Sequence, residues 1–206
     1  MSSDSSSSSR SQVGIFIFED VEVLDFCGPF EVFSVTNAPG EFDDDTKLFD
    51  VHIIAEATGI VSCRNGLRVQ PDFSIDDHPQ LDIVLVPGGR GTRRERTNPR
   101  ILAWVERQDR QVQLMTSVCT GAFILAANGL LDGKAATTHW ASVEWLREHH
   151  PAITVRDDVR YVDEGHIVTS AGVSAGIDMA LHIVERLHGV EVARQTARHM
   201  EYEWTP

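Results

Sequence analysis

Short apolar runs alternate with amphipathic stretches along almost the whole chain. Residues 13–18 are β-branched and aromatic, which predicts a first strand. Within 21–35, Pro29 sits just inside a predicted helix start, with Phe30, Val32 and Phe33 forming its buried face. Residues 47–55 read as a second strand. The pair 60–63 and 67–70, split by Asn65-Gly66, reads as a hairpin. Residues 82–86 are continuously apolar, which predicts a strand buried on both faces. An amphipathic helix follows over 98–110, with Ile101, Leu102 and Val105 inward.

The stretch 111–128 carries the most information. An apolar run ends at Val118 and resumes at Ala122, Phe123, Leu125 and Ala126, a change from strand to helix with Cys119, Thr120 and Gly121 at the corner. Beyond it the pattern gives strands over 134–138, 153–156, 160–162 and 166–170. It also gives helices over 139–149, 177–187 and about 190–200. Alternating strands and helices without a linker or repeat predict one α/β domain over 12–206, built on a mostly parallel sheet. Residues 1–11, nearly all serine at first, read as a disordered polar tail.

A sharp strand-to-helix corner is the geometry of a nucleophile elbow. Free N–H groups at the helix start are expected to favour a Cys119 thiolate over a thiol. The alternative is a buried structural cysteine. In open α/β sheets the site lies at the carboxyl ends of the strands. Asp25, Gly88-Gly89, Cys119-Thr120 and 171–174 all fall there. A buried Asp25 would have a raised pKa and could move a proton; otherwise it is a helix N-cap. Gly88 and Gly89 would bring backbone N–H groups close to a developing negative charge, or simply form a tight turn. The arginines at 90, 93, 94 and 96 read mainly as a solvated face, with an anionic ligand as the other possibility. Asp178 and His182 share a helix face but do not make a metal site, and none is expected.

Charge narrows the partners. Eighteen basic against thirty-one acidic residues give −13, and Lys47 and Lys134 are the only lysines. Such a field disfavours nucleic acid and anionic lipid, and points to a salt-adapted source. No secretory signal and no run of about 20 apolar residues is visible, so a cytoplasmic location is expected. Cys27, Cys63 and Cys119 read as reduced thiols.

Five stretches taken together resemble the DJ-1/PfpI superfamily: residues 24–33, 86–89, 117–123, 136–140 and 170–178. Isonitrile hydratases and the sensor domains of AraC-type regulators are the nearest branches. The resemblance implies a flavodoxin-like three-layer sandwich and a homodimer acting on a small molecule without a cofactor. It implies Cys119 as nucleophile, Asp25 as its acidic partner and Thr120 as a further site residue. Gly88, Gly89, Thr120 and Gly121 would supply backbone stabilisation, and His139, Gly172, Val173 and Ser174 a substrate pocket. The peptidase-like branch carries His after the Cys; Thr120 stands there, so protease activity is not expected. The expected reaction is hydration of an isonitrile to an N-substituted formamide. The alternatives are a ligand sensor, although the acidic chain stops at Pro206 without a basic helix-turn-helix, and a stress protein acting on reactive carbonyls or sensing oxidation.

Overall fold

The computed structural model describes residues 10–206. In chain order the elements are β1 (Ser11–Phe16), α1 (Val23–Ser34), β2 (Phe49–Ala55), β3 (Val61–Ser62), β4 (Arg68–Val69), β5 (Phe73–Ser74) and β6 (Ile83–Val86). Then come α2 (Thr92–Glu95), α3 (Pro99–Asp109), β7 (Leu114–Val118), α4 (Ala122–Ala127), β8 (Ala135–Ala136) and α5 (Val143–His149). The chain ends with β9 (Thr154–Val155), β10 (Tyr161–Asp163), β11 (Ile167–Ser170), α6 (Ala175–His188) and α7 (Val190–His199). The main sheet runs β10-β11-β7-β6-β1-β2-β5, and every pairing in it is parallel except β10 with β11. Helices flank it: α1, α6 and α7 pack as one group, while α2 and α3 pack on α4. This is the mostly parallel, helix-flanked sheet expected.

Several expected bounds shift. The first strand opens at Ser11, so the polar tail expected over 1–11 loses its last residue to the sheet, and Arg10 already holds Asp50. Residues 1–9 lie outside the described residues. The helix expected to start near Pro29 instead starts at Val23, because the apolar side chains from Val23 onward already have a surface to cover; Pro29 lies inside it. The segments 134–138 and 153–156 form strands only at their centres, and these pair with each other, outside the main sheet. The hairpin is present, with Asn65 taking the positive φ of 68° that the turn requires. No helix among the described residues is long and apolar enough to cross a membrane.

Two features of the fold position the site. First, β6, β7 and β11 end level, with Val86 opposite Ser117 and Val118 opposite Ser170. Gly88, Cys119 and Ala171 therefore leave the same edge side by side, and both β6 and β7 are buried along their whole length. Second, α1 lies close against α6 at Gly28, where a Cβ would sit 2.8 Å from Ile177 Cγ1. That approach fixes the helix whose first turn carries Asp25.

Gly28→Val is expected to lower the unfolding free energy by about 1–3 kcal/mol through overpacking. Ile177→Ala in the same chain should recover part of it. Denaturant midpoints of the single and double variants check this; equal midpoints for Gly28→Val and wild type would show that the contact does not set the spacing of α1 and α6.

Candidate active site

Cys119 sits at the corner between β7 and α4 with φ +58°, a conformation that non-glycine residues rarely adopt. The corner is held from three sides. Cys119 N–H donates to Ala171 O at 3.2 Å, and Thr138 Oγ1 donates to Cys119 O at 2.7 Å. Gly121 lies so close to the end of β6 that a Cβ there would fall 2.0 Å from Val86 O. The sharp strand-to-helix corner is thus present, and Cys119, 7% exposed, lines a cavity.

Asp25 comes to this corner from α1 and is fully buried. It is not an N-cap: that place belongs to Glu22, whose side chain makes no capping bond. Gly88 N–H donates to Asp25 Oδ2 at 3.0 Å, while Oδ1 is buried without an aligned hydrogen-bond partner. A Cβ on Gly88 would stand 2.7 Å from Asp25 Oδ2 and 2.8 Å from Cys119 Cβ, so only glycine lets the two side chains meet across it. Burial raises the Asp25 pKa from 3.8 to about 7, with the neighbouring Cys119 thiol and the Gly88 N–H opposing that rise.

The resting state of the sulfur differs from expectation. Burial, and then the Asp25 carboxylate beside it, push the Cys119 thiol well above its usual range. Thr120, through its backbone N–H and its hydroxyl, pulls the other way without overcoming them. The balance of these effects favours the thiol over the thiolate, and the dipole at the start of the short α4 is worth only about 0.3–2 kcal/mol.

Gly88 and Gly89 do not offer the free donors that were expected. Gly88 N–H is committed to Asp25, and Gly89 N–H donates to Thr120 Oγ1 at 3.1 Å. They hold the acid and Thr120 in place rather than face a reacting atom. Thr92, missed in the sequence, completes this support: its Oγ1 lies 2.8 Å from Gly89 O and 3.1 Å from Thr120 Oγ1. Thr138 was also missed as the anchor of the elbow carbonyl. Thr92 leaves no signal in the sequence, whereas Thr138 lies within the 136–140 stretch of the resemblance without being singled out.

The cavity above Cys119 measures about 310 Å³ and is lined by Glu22, Arg64, Gly89, Arg90, Arg93, Cys119, Thr120, His139, Ala141, Ser142 and Val173. Of the expected pocket residues, His139 and Val173 line it. Gly172 packs beneath His139, where a Cβ would meet His139 Cδ2 at 2.2 Å. Ser174 turns away, accepting a hydrogen bond from Arg160 at 3.2 Å, because the chain reverses at Val173 with φ +55°. His139 Nδ1 accepts from Ala141 N–H at 3.3 Å, so its proton sits on Nε2. Burial, with Arg64 and Arg93 adding to it, lowers the His139 pKa and keeps the ring neutral. The four arginines divide: Arg90 and Arg93 reach the cavity, Arg94 pairs with Glu95, and Arg96 lies 4.4 Å over the Trp145 ring. Asp178 and His182 are committed separately, to Arg160 and Tyr202 and to Asp163.

Comparison with known proteins follows the same geometry. A model of the DJ-1/PfpI family matches residues 11–186. An isonitrile hydratase from Pseudomonas putida is 36% identical over 195 residues, covering 95% of this chain and 80% of that protein. The HTH-type transcriptional regulator CdhR of Pseudomonas aeruginosa is 31% identical over 175 residues, 85% of this chain; the chain spans about half of that regulator's length (50%). Among solved structures, a THiJ/PfpI family protein from Pseudomonas syringae superposes with a TM-score of 0.84 at 28% identity, covering 96% of this chain and 77% of that one.

The raised Asp25 pKa has a consequence for stability. From about pH 4 to about pH 7 the folded chain holds a proton on Asp25 that the unfolded chain has lost, so this group's contribution falls as pH rises through that window and is flat above it. Asp25→Asn, which mimics the protonated acid, should gain on wild type across the same window, by at most about 4 kcal/mol. Urea denaturation of both at pH 4, 5.5 and 8 measures the difference; a constant difference would mean that the carboxyl does not titrate with a raised pKa.

Proposed function

The chain belongs to the DJ-1/PfpI family, and from that premise we propose that it hydrates an isonitrile to an N-substituted formamide, with Cys119 as nucleophile. One observation carries the reading: a buried acid titrating near neutrality stands beside a thiol at the floor of a cavity open to a small molecule. The likeness to the Pseudomonas putida isonitrile hydratase over 95% of the chain supports the choice of substrate class.

The chemistry follows from the pair. As R–N≡C enters, Asp25 carboxylate takes the Cys119 proton while Sγ bonds to the terminal carbon, and Asp25 returns that proton to the same carbon. The product is a thioimidate, R–N=CH–S–Cys119. Asp25 then takes a proton from a water that attacks the thioimidate carbon and passes it to the nitrogen, giving R–NH–CH(OH)–S–Cys119. As the C–S bond breaks, Asp25 carries the hydroxyl proton to the departing sulfur, so the formamide leaves and the thiol is restored. The net change is R–NC plus water to R–NH–CHO. Thr120, near the sulfur through both its N–H and its hydroxyl, would steady the anionic sulfur during addition and departure. Gly88 would act by orienting Asp25. The family resemblance implies a homodimer as the working unit.

With cyclohexyl isocyanide the expected product is N-cyclohexylformamide. Cys119→Ala should abolish its formation, and Asp25→Asn should lower kcat/KM by about 10²–10⁴-fold. Because the carboxylate form is the acceptor, wild-type kcat/KM should rise with pH through about 7 and then level off. Formamide production at wild-type rate by Cys119→Ala would end the proposal. Saturable binding without turnover would favour the sensor reading, which the regulator relative supports. Conversion of methylglyoxal to lactate, again Cys119-dependent, would favour action on carbonyls.

A further inference from the structure

The cavity wall carries a charge opposite to that of the protein. Over a chain of net charge −13, its lining holds three guanidinium groups, Arg64, Arg90 and Arg93, against one carboxylate, Glu22. That carboxylate is already spent: Arg64 donates to Glu22 Oε2 at 3.0 Å. Nearby, Arg94 pairs with Glu95, and Arg100 with Glu56 and Asp76. Arg90 and Arg93 stand in no ion pair among the described residues, although acids outnumber bases almost two to one in the chain. Arg93 is held in place, donating to Gly89 O at 3.1 Å with its guanidinium 5.8 Å from the Phe123 ring centre. His139, neutral, adds no charge, and Asp25 below is at most half ionised up to about pH 7.

We infer that the cavity selects substrates bearing a carboxylate, which Arg90 and Arg93 receive at the mouth while the reactive end reaches Cys119. Guanidinium groups suit this task because they stay charged and present paired N–H donors to a planar carboxylate. The inference rests on the reading of this cavity as the reaction site and narrows its substrate to a small anion, such as an isocyano acid. Arg90 and Arg93 are thus specificity-determining residues and take no part in bond making.

Two measurements separate this inference from the hydratase reading. The first is alkylation of Cys119, followed by peptide mass spectrometry, with iodoacetate and with neutral iodoacetamide. Sγ displaces iodide in each case and its proton passes to Asp25 or water. Relative to free glutathione, Cys119 should favour iodoacetate by about 10-fold. That preference should fall by about 10-fold in Arg90→Gln, in Arg93→Gln, or on raising salt well above the physiological range. The second is hydration of isocyanoacetate against its methyl ester: the acid should have the higher kcat/KM in wild type, and the ester should match it in Arg90→Gln. A Cys119 preference equal to that of glutathione, or one that survives both substitutions, overturns the inference even if cyclohexyl isocyanide is hydrated well. An iodoacetate preference that depends on both arginines upholds it even if no isonitrile is turned over, in which case the hydratase reading alone falls.

Discussion

The site depends on one constraint: two acids, Asp25 and Cys119, are buried so close together that ionising both is prohibitive. Each pKa unit corresponds to about 1.4 kcal/mol, so the rise of Asp25 from 3.8 to about 7 represents several kilocalories of desolvation. The dipole of a short helix contributes less than that, typically a few tenths to 1 kcal/mol. Burial therefore wins over the helix end. In the proposed reaction the sulfur waits as a thiol and becomes nucleophilic when a substrate lets Asp25 accept its proton. A permanently ionised thiolate would be open to oxidation and alkylation between turnovers; a shared proton limits both.

Such a pair needs side chains from distant segments brought together with almost no tolerance. Asp25 and Gly88 are 63 residues apart, yet their hydrogen bond is 3.0 Å long. The parallel register supplies the coarse placement by ending β6, β7 and β11 level. Absent side chains supply the fine placement. At Gly88 a Cβ would separate acid from thiol, at Gly121 it would strike the end of β6, and at Gly28 it would push α1 away from α6. The strain of the left-handed Cys119 costs roughly 1–3 kcal/mol, and it persists because strand, helix and the Thr138 bond all determine that corner.

These relations set what could be read from the chain. The central strands are legible from periodicity because a strand buried on both faces tends to be apolar throughout, as Ile83–Val86 is; Leu114–Val118 is equally buried but includes Thr116 and Ser117. Cys119 and Asp25 stood out because a thiol at a strand-to-helix change and an acid in apolar company are each locally unusual. The raised pKa of a buried Asp25 was expected, whereas the Cys119 pKa is pushed up rather than down, since that depends on how deeply other segments cover it. The roles of Gly88 and Gly89 were misplaced for a similar reason: a glycine pair announces close approach, but only coordinates say what approaches. Thr92 carries no local mark, and Thr138 is marked only by its place in the 136–140 stretch. Ser174 was grouped with Val173 by sequence adjacency, and one positive φ sends it to the opposite side.

Charge acts at two ranges here, and they oppose each other. The acidic chain repels an anion at long distance, but exposed charges are screened beyond about 8–10 Å at moderate salt. An approaching carboxylate therefore meets little net repulsion until it reaches the mouth, where Arg90 and Arg93 are the nearest uncompensated charges. Selection is then made at contact, with the low-dielectric wall of the cavity strengthening each guanidinium relative to open water. Burial, with Arg64 and Arg93 adding to it, also lowers the His139 pKa, since a further cation beside them would be costly.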